Sequence, residues 1–147
     1  MPGANARALE KAKSLAADAL ILDLEDSVAP EAKGSARAQV VAAVKAGGFA
    51  PREVAVRVNA LDSAWGLDDL AAVAAAGPDA ILVPKVSAPE DLIVVGRFLT
   101  ELGVSASPAD YGFRDGEWRE LIDAALDGER GQNFISSRER VMRSLCN

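Results

Sequence analysis

The sequence predicts an α/β fold built on a parallel sheet. Three short apolar runs rich in β-branched residues recur along it, alanine-rich segments with helical spacing lie around them, and Gly or Pro closes three of the four helical segments. The runs are Ala19–Leu24 (ALILDL), Glu53–Val58 (EVAVRV) and Asp79–Val83 (DAILV), five or six residues each, which suits strands. The first and third are nearly continuous in apolar character, as strands covered on both faces are. In Asn5–Ala17, Leu9, Ala12, Leu15 and Ala16 fall on one helical face. In Pro30–Val44, Ala36, Val40, Val41 and Val44 do the same, with Pro30 suited to the first turn and Gly47-Gly48 to the stop. Leu67–Ala76 is closed by Gly77-Pro78, and Pro89–Leu102 by Gly103. Helix and strand therefore alternate from the first helix to the fourth, and short βα connections imply right-handed crossovers.

Beyond Gly103 the texture changes. Residues 104–116 read as a loop, Glu117–Leu126 as an amphipathic helix, and Ser136-x-x-Glu139 as a capping box opening a last short helix. The division expected is 1–104 as an α/β part and 105–147 as an unrelated or rearranged helical tail.

At 147 residues the chain holds one domain with a real core. Its net charge of −6 argues against nucleic acid or an anionic membrane as partner. There is no histidine, and the single cysteine is Cys146, so imidazole bases, Ser-His-Asp and Cys-His catalysis and most zinc sites are excluded. Carboxylates, Lys, Arg, Tyr, backbone amides or a hard ion such as Mg²⁺ are left to carry any chemistry. No signal peptide or membrane span is evident, and the cytoplasm is the expected compartment.

Ligands of parallel α/β sheets sit beyond the carboxyl ends of the strands. Here those ends are Asp23-Leu24-Glu25-Asp26, Arg57-Val58-Asn59 and Pro84-Lys85-Val86, which can face one cleft. Three acids within four residues repel unless Mg²⁺, or Arg57 and Lys85, compensates them. Strand alternation sends Asp23 and Glu25 one way, Leu24 and Asp26 the other. The plainer readings are a structural salt bridge for Arg57, a solvated loop residue for Lys85, a packing anchor for Trp65, and core for Leu24, Val56 and Val58. A receiver-like signalling domain shares the acid pair and the lysine beside proline. It needs a phosphoacceptor Asp ending a middle strand, where this sequence has Arg57-Val58-Asn59.

Several motifs occur in order: Pro2-Gly3, Arg7, Glu10-Lys11-Ala12, Ala17-Asp18, Ile21–Asp26 with Ser27-Val28-Ala29-Pro30, and Lys33 with Ala36-Arg37. Val56–Asn59, Trp65-Gly66, Asp69-Leu70, Leu82–Val86 and Glu90-Asp91 follow. In this order and spacing the first hundred residues resemble the HpcH/HpaI aldolase, or citrate lyase beta-subunit and malyl-CoA lyase, family. The resemblance implies a (β/α)₈ TIM barrel, of which about three strands with their helices would be present, usually in a homo-oligomer. It implies Mg²⁺-dependent cleavage of a C–C bond in a 3-hydroxyacyl-CoA thioester such as citryl-CoA or malyl-CoA, releasing a 2-oxo acid. By the same resemblance Arg57 grips the 2-oxo acid carboxylate, and Glu25 and Asp26 are the acidic pair beside the metal, hydrogen-bonded to its waters. Lys85 helps neutralise the acidic mouth, and Arg7 and Lys11 lie near the coenzyme A phosphates. A non-catalytic remnant or subunit that binds the CoA thioester is the alternative.

Some family features are missing. Its two carboxylate metal ligands come from the fifth and sixth strands, in segments resembling Ile-Glu-Thr and a Gly-rich run before Asp, and no such segment follows Gly103. Position 87 is Ser where many members have Glu. The family's first strand runs into Val-Pro-Gly, and Met1 stands at that valine, as a gene start assigned to a valine codon would produce. Three strands cannot close a barrel, so open sheet edges, weak stability or self-association, and little activity are expected.

Overall fold

The structure, a computed structural model, describes residues 1–87, 89–103, 114 and 120. The chain divides into two compact units, Met1–Lys85 and Val86–Asn147.

In the first unit the elements are α1 (Ala6–Ala12), β1 (Ala19–Asp23), α2 (Lys33–Ala46), β2 (Glu53–Arg57), α3 (Gly66–Ala74) and β3 (Ala80–Leu82). The strands form a parallel sheet in the order β1-β2-β3, as the alternation of helix and strand predicts. Leu22 pairs with Val56 and Val56 with Ile81; Asp23 pairs with Arg57 and Arg57 with Leu82. Because successive side chains alternate, this register sorts the sheet into two faces. Leu20, Leu22, Leu24, Val54, Val56 and Val58 point to the helix side and are buried with Leu9, Ala12, Ala36, Val40 and Val73. The opposite face carries Ile21, Ala55 and Ala80 below, and Asp23, Arg57 and Leu82 at the rim. Ile21 and Leu82 are exposed there. Leu24, Val56 and Val58 are thus core, as read from the sequence.

The expected barrel is represented by these three strands alone among the described residues, and β3 pairs there only with β2. The outer edge of β1 is partly occupied. Pro2 bridges Asp23 in parallel, Asp23 N–H donates to Met1 O at 2.8 Å, and Gly3 N–H donates to Asp23 O at 2.8 Å. A Cβ on Gly3 would stand 2.7 Å from Asp23 O and 2.8 Å from a Val40 methyl, so this close approach requires glycine.

Two boundaries differ from the sequence reading by more than two residues. Helix α1 ends at Ala12 rather than Ala17, because Arg52 donates to the carbonyls of Lys13 (3.0 Å) and Leu15 (2.5 Å), drawing residues 13–15 toward the start of β2. Pro30–Ala32 is a 3₁₀ turn before α2, a common tightening at a helix N-terminus where Pro has no N–H to give. Helix α3 is prepared by Ser63, whose hydroxyl donates to Ala60 O (2.6 Å) and accepts from Gly66 N–H (3.1 Å).

In the second unit, α4 (Pro89–Glu101) opens with Glu90 and Asp91, charges favoured at a helix N-terminus, and Asp91 accepts from Ser87 N–H at 2.9 Å. Gly103, at φ 73°, follows its end. The loop expected over 104–116 and the helices expected over 117–126 and from Ser136 lie outside the described residues, apart from Arg114 and the helical Glu120. No helix among the described residues is long and apolar enough to cross a membrane.

The packing at Gly66 gives a test. A Cβ there would lie 2.2 Å from Ala60 O, so Gly66→Ala is expected to lower unfolding free energy by about 1–3 kcal/mol. Gly34, in α2 with open space around its Cβ position, should gain up to about 1 kcal/mol as Gly34→Ala. Urea denaturation of both variants measures the contrast, and equal midpoints would contradict it.

Candidate functional site

The functional candidates lie where β1, β2 and β3 end. Arg57 and Asp23 are the last residues of adjacent parallel strands, directly paired and on one face. The guanidinium turns back on the carboxylate with its planar edge. Nε donates to Oδ1 and Nη2 to Oδ2, both at 2.8 Å. Such a fork fixes orientation as well as charge. Asp23 also accepts the N–H groups of Glu25 (2.9 Å) and Ser27 (3.1 Å), so it organises the loop that follows it. Burial pushes the Asp23 carboxyl up, but Arg57, Ser27 and the Glu25 N–H together outweigh burial and hold it well below the usual carboxylate range. The Asp23 hydrogen bond raises Arg57, against its partial burial, and the charges of Asp23, Glu25 and Asp26 add to the rise.

The remaining side of the guanidinium faces the other two acids, with Nη1 3.2 Å from Glu25 Oε2 and 3.6 Å from Asp26 Oδ2. Lys85 closes the cluster from the end of β3. Its ammonium lies 3.0 Å from Glu25 Oε1 and 3.9 Å from Asp26 Oδ1. This ion pair is the one partner of the buried Glu25 Oε1 among the described residues. Contact with Glu25, then the charges of Glu25, Asp26 and Asp62, raise the Lys85 ammonium, and slight desolvation opposes little of this. Lys85 sits at φ 56°, in the left-handed region, where a non-glycine residue carries about 1–3 kcal/mol of strain.

The sequence reading brought Glu25, Asp26, Arg57 and Lys85 to one mouth, and the structure brings these four together. Arg57 and Lys85, expected as one source of compensation for the acids, are in contact with them. Three acids against two cations leave one net negative charge in the cluster. One expectation is corrected. Alternation was to separate Asp26 from Asp23 and Glu25, but β1 stops at Asp23, the chain turns, and Asp26 also approaches Arg57. Asp26 differs from its neighbours in exposure instead, at 67% of its side chain against 8% for Asp23 and 5% for Glu25.

Arg7 and Lys11 lie apart from this cluster, exposed on α1, and touch none of its residues among the described contacts. The helix begins just after Gly3, whose N–H bonds the last carbonyl of β1, so its first turn starts at the same rim. For Mg²⁺ the described residues do not fit. Both Asp23 oxygens are committed to Arg57, and no three His, Cys, Asp or Glu side chains converge on a metal position among the described residues.

Beneath the cluster lies a polar network to which sequence reasoning assigned no role. Lys33 is buried at the start of α2 and donates to Leu24 O (2.8 Å), Glu25 O (2.6 Å) and Asn59 Oδ1 (2.7 Å). Asn59 Nδ2 donates to Leu24 O (2.9 Å) and Asp69 Oδ2 (2.6 Å), and Arg37 Nε donates to Asp69 Oδ1 at 2.6 Å. Trp65, read as a packing anchor, lays its ring 5.5 Å from Lys33 Nζ. The sequence signal for this network was slight: charged residues at core-facing positions of otherwise alanine-rich helices.

Comparison with known proteins now bears on this geometry. Residues 1–104 match the family model described as HpcH/HpaI aldolase/citrate lyase. The chain belongs to this family. It is 48% identical over 102 residues to a (3S)-malyl-CoA thioesterase of Cereibacter sphaeroides, covering 69% of this chain and 36% of that protein. It is 44% identical over 144 residues to the citrate lyase subunit beta of Escherichia coli, covering 97% and 46%. It is 36% identical over 104 residues to an L-malyl-CoA/beta-methylmalyl-CoA lyase of C. sphaeroides, covering 69% and 33%. Similarity to the E. coli protein therefore continues past residue 104, into the segment in which the sequence alone showed no family motif. The chain spans less than half the length of each of these relatives.

The Asp23–Arg57 pair makes stability depend on acidity. The folded carboxyl titrates below its unfolded value, so its contribution is complete above the ordinary carboxylate range near pH 4 and is lost as pH falls below it. Urea midpoints at pH 7 and pH 3 should differ more for the wild type than for Asp23→Asn. Parallel losses in the two proteins would count against the pair.

Proposed function

We propose that the strand-end cluster is the 2-oxo acid subsite of a C–C lyase of the citrate lyase beta-subunit type, acting on a 3-hydroxyacyl-CoA thioester of the citryl-CoA or malyl-CoA class. The observation that carries this reading is the placement of Arg57. A guanidinium has five N–H groups; two donate to Asp23, and Nη1 lies in ion-pair range of Glu25 and Asp26. Asp23 thus holds the fork by one edge, and in this reading a substrate carboxylate takes the Nη1–Nη2 edge in place of Glu25 and Asp26. Family membership and the named substrates of the relatives support the same class.

In this reading Arg57 binds and orients the substrate carboxylate. Glu25, whose Oε1 accepts no hydrogen bond, and the exposed Asp26 are the acids placed to accept the proton of the 3-hydroxyl. As that proton leaves, the oxygen becomes the carbonyl of the 2-oxo acid. The C–C bond breaks, and its electron pair passes to the thioester enolate, which is then protonated. Lys85 offsets the acids and draws the anionic substrate. Arg7 and Lys11 meet the coenzyme A phosphates from α1. The Mg²⁺ of this reading takes its ligands from outside the described residues, and a homo-oligomer is its working state.

A second reading, thioester binding without turnover, is favoured by one observation: both Asp23 oxygens are committed to Arg57 and no three ligating side chains converge on a metal position among the described residues. Incubating the purified chain with malyl-CoA or citryl-CoA and Mg²⁺ separates the possibilities. Acetyl-CoA with glyoxylate or oxaloacetate supports the lyase, binding alone supports the second reading, and free CoA with intact malate or citrate assigns hydrolysis. Arg57→Lys should weaken binding of glyoxylate at least tenfold by calorimetry, because an ammonium cannot replace the fork. No binding of thioester or oxo acid by the wild type would overturn both readings.

A further inference from the structure

We infer that Lys33 is the positioning residue of the cluster: it fixes the Leu24–Glu25 backbone so that Glu25 is presented to Arg57 and Lys85. Its consequence for substrate rests on the site proposed above.

The Lys33 ammonium is buried, yet none of its three hydrogen-bond acceptors is a carboxylate. Burying a charge this way is costly, and an apolar side chain would fill the volume with less desolvation. An apolar side chain could not hold two successive carbonyls beyond the end of a strand. That is where Lys33 acts. The last ladder bond of β1 is Leu24 N–H to Arg57 O at 2.9 Å, after which the sheet supplies no partners to the loop. Leu24 O and Glu25 O, the next two carbonyls, both accept from Lys33.

The reach follows from helix geometry. Side chains lean toward a helix N-terminus, so the first residue of α2 projects beyond its helix toward the strand ends. The ammonium is itself anchored. Asn59, its third acceptor, is held through its N–H (3.1 Å) and Nδ2 by Asp69, which Arg37 pairs in turn. Glu25 is consequently fixed on both sides of its Cα, by Asp23 Oδ1 on its N–H and by Lys33 on its C=O. Little freedom is left beyond its own rotamers. The Asp23–Arg57 fork does not depend on Lys33, since neither residue touches it among the described contacts.

This separation makes the role testable with Lys33→Met in the full chain, read by NMR and calorimetry. The Lys85 ammonium, raised in the wild type by its contact with Glu25, should titrate closer to an ordinary lysine in the variant. The Arg57 Nε–H resonance should keep its hydrogen-bonded shift, and glyoxylate, which the fork holds, should bind within about threefold of the wild-type affinity. Unchanged Lys85 titration in the folded variant would overturn the inference. So would joint loss of the Lys85 and Arg57 signatures, which marks general loosening. A wild type that binds no glyoxylate removes the proposed function, while the Lys85 titration still decides the role of Lys33. Should Lys33→Met fail to fold, the unmodified protein supplies the decision. Proton exchange of the Lys33 ammonium should be at least tenfold slower than that of Lys11 on exposed α1, and equal rates would overturn the inference.

Discussion

Asp23 and Arg57 meet because two parallel strands end together on the same face. Their fork is therefore a property of register as much as of charge. Shift β2 by one residue and its side chains change faces. Arg57 would then turn toward Leu22, Val40 and the helices, and Val56 toward water. The apolar pattern that buries Leu22 against Val56 is what delivers the guanidinium to the carboxylate. Core and rim here answer to one alignment.

Above that alignment the charges form two tiers that share the Leu24–Glu25 segment. The lower tier of Lys33, Asn59, Asp69 and Arg37 is closed off from water at its centre, and its hydrogen bonds join α2, α3 and the ends of β1 and β2. The upper tier of Asp23, Glu25, Arg57 and Lys85 opens outward, with Lys85 largely exposed. In low-dielectric surroundings a fully partnered network is rigid, whereas a partly partnered one is available for exchange. The distribution of partners matches that division: Lys33 has all three donors engaged, and Glu25 Oε1 meets only the exposed Lys85 ammonium among the described residues.

Much of this was legible in the sequence, and the rest was hidden for physical reasons. The apolar runs ALILDL and EVAVRV located the strands to within a residue, but the first and third runs, read as covered on both faces, are covered by helices on one, and Ile21 and Leu82 are exposed on the other among the described residues. Strand ends named the mouth residues, since a parallel sheet has only one such rim. The sequence did not say which acid the guanidinium would grip. Asp23 and Glu25 share a face, and only the three-dimensional register makes Asp23 the direct neighbour. Nor could it tell an inward charge from an outward one on an alanine-rich helix. Lys33 and Asp69 are buried while Lys45 and Asp68 are exposed, and the core-facing spacing of Lys33 to Ala36 and Val40 was only a slight signal against the ordinary preference of charges for water. The early end of α1 was equally obscure, because the competing donor, Arg52, is distant in sequence.

The N-terminal three residues have a practical corollary. Met1 donates its terminal nitrogen to Ile21 O, running alongside β1 in the same direction. A peptide bond formed at that nitrogen would exchange an ammonium for an amide and still donate to the same carbonyl. Residues spliced ahead of Met1 would then be led along the margin of Ala19–Ile21. A purification handle placed there would have to be chosen for how it lies beside a strand, and a polar, proline-bearing linker would avoid extending the ladder.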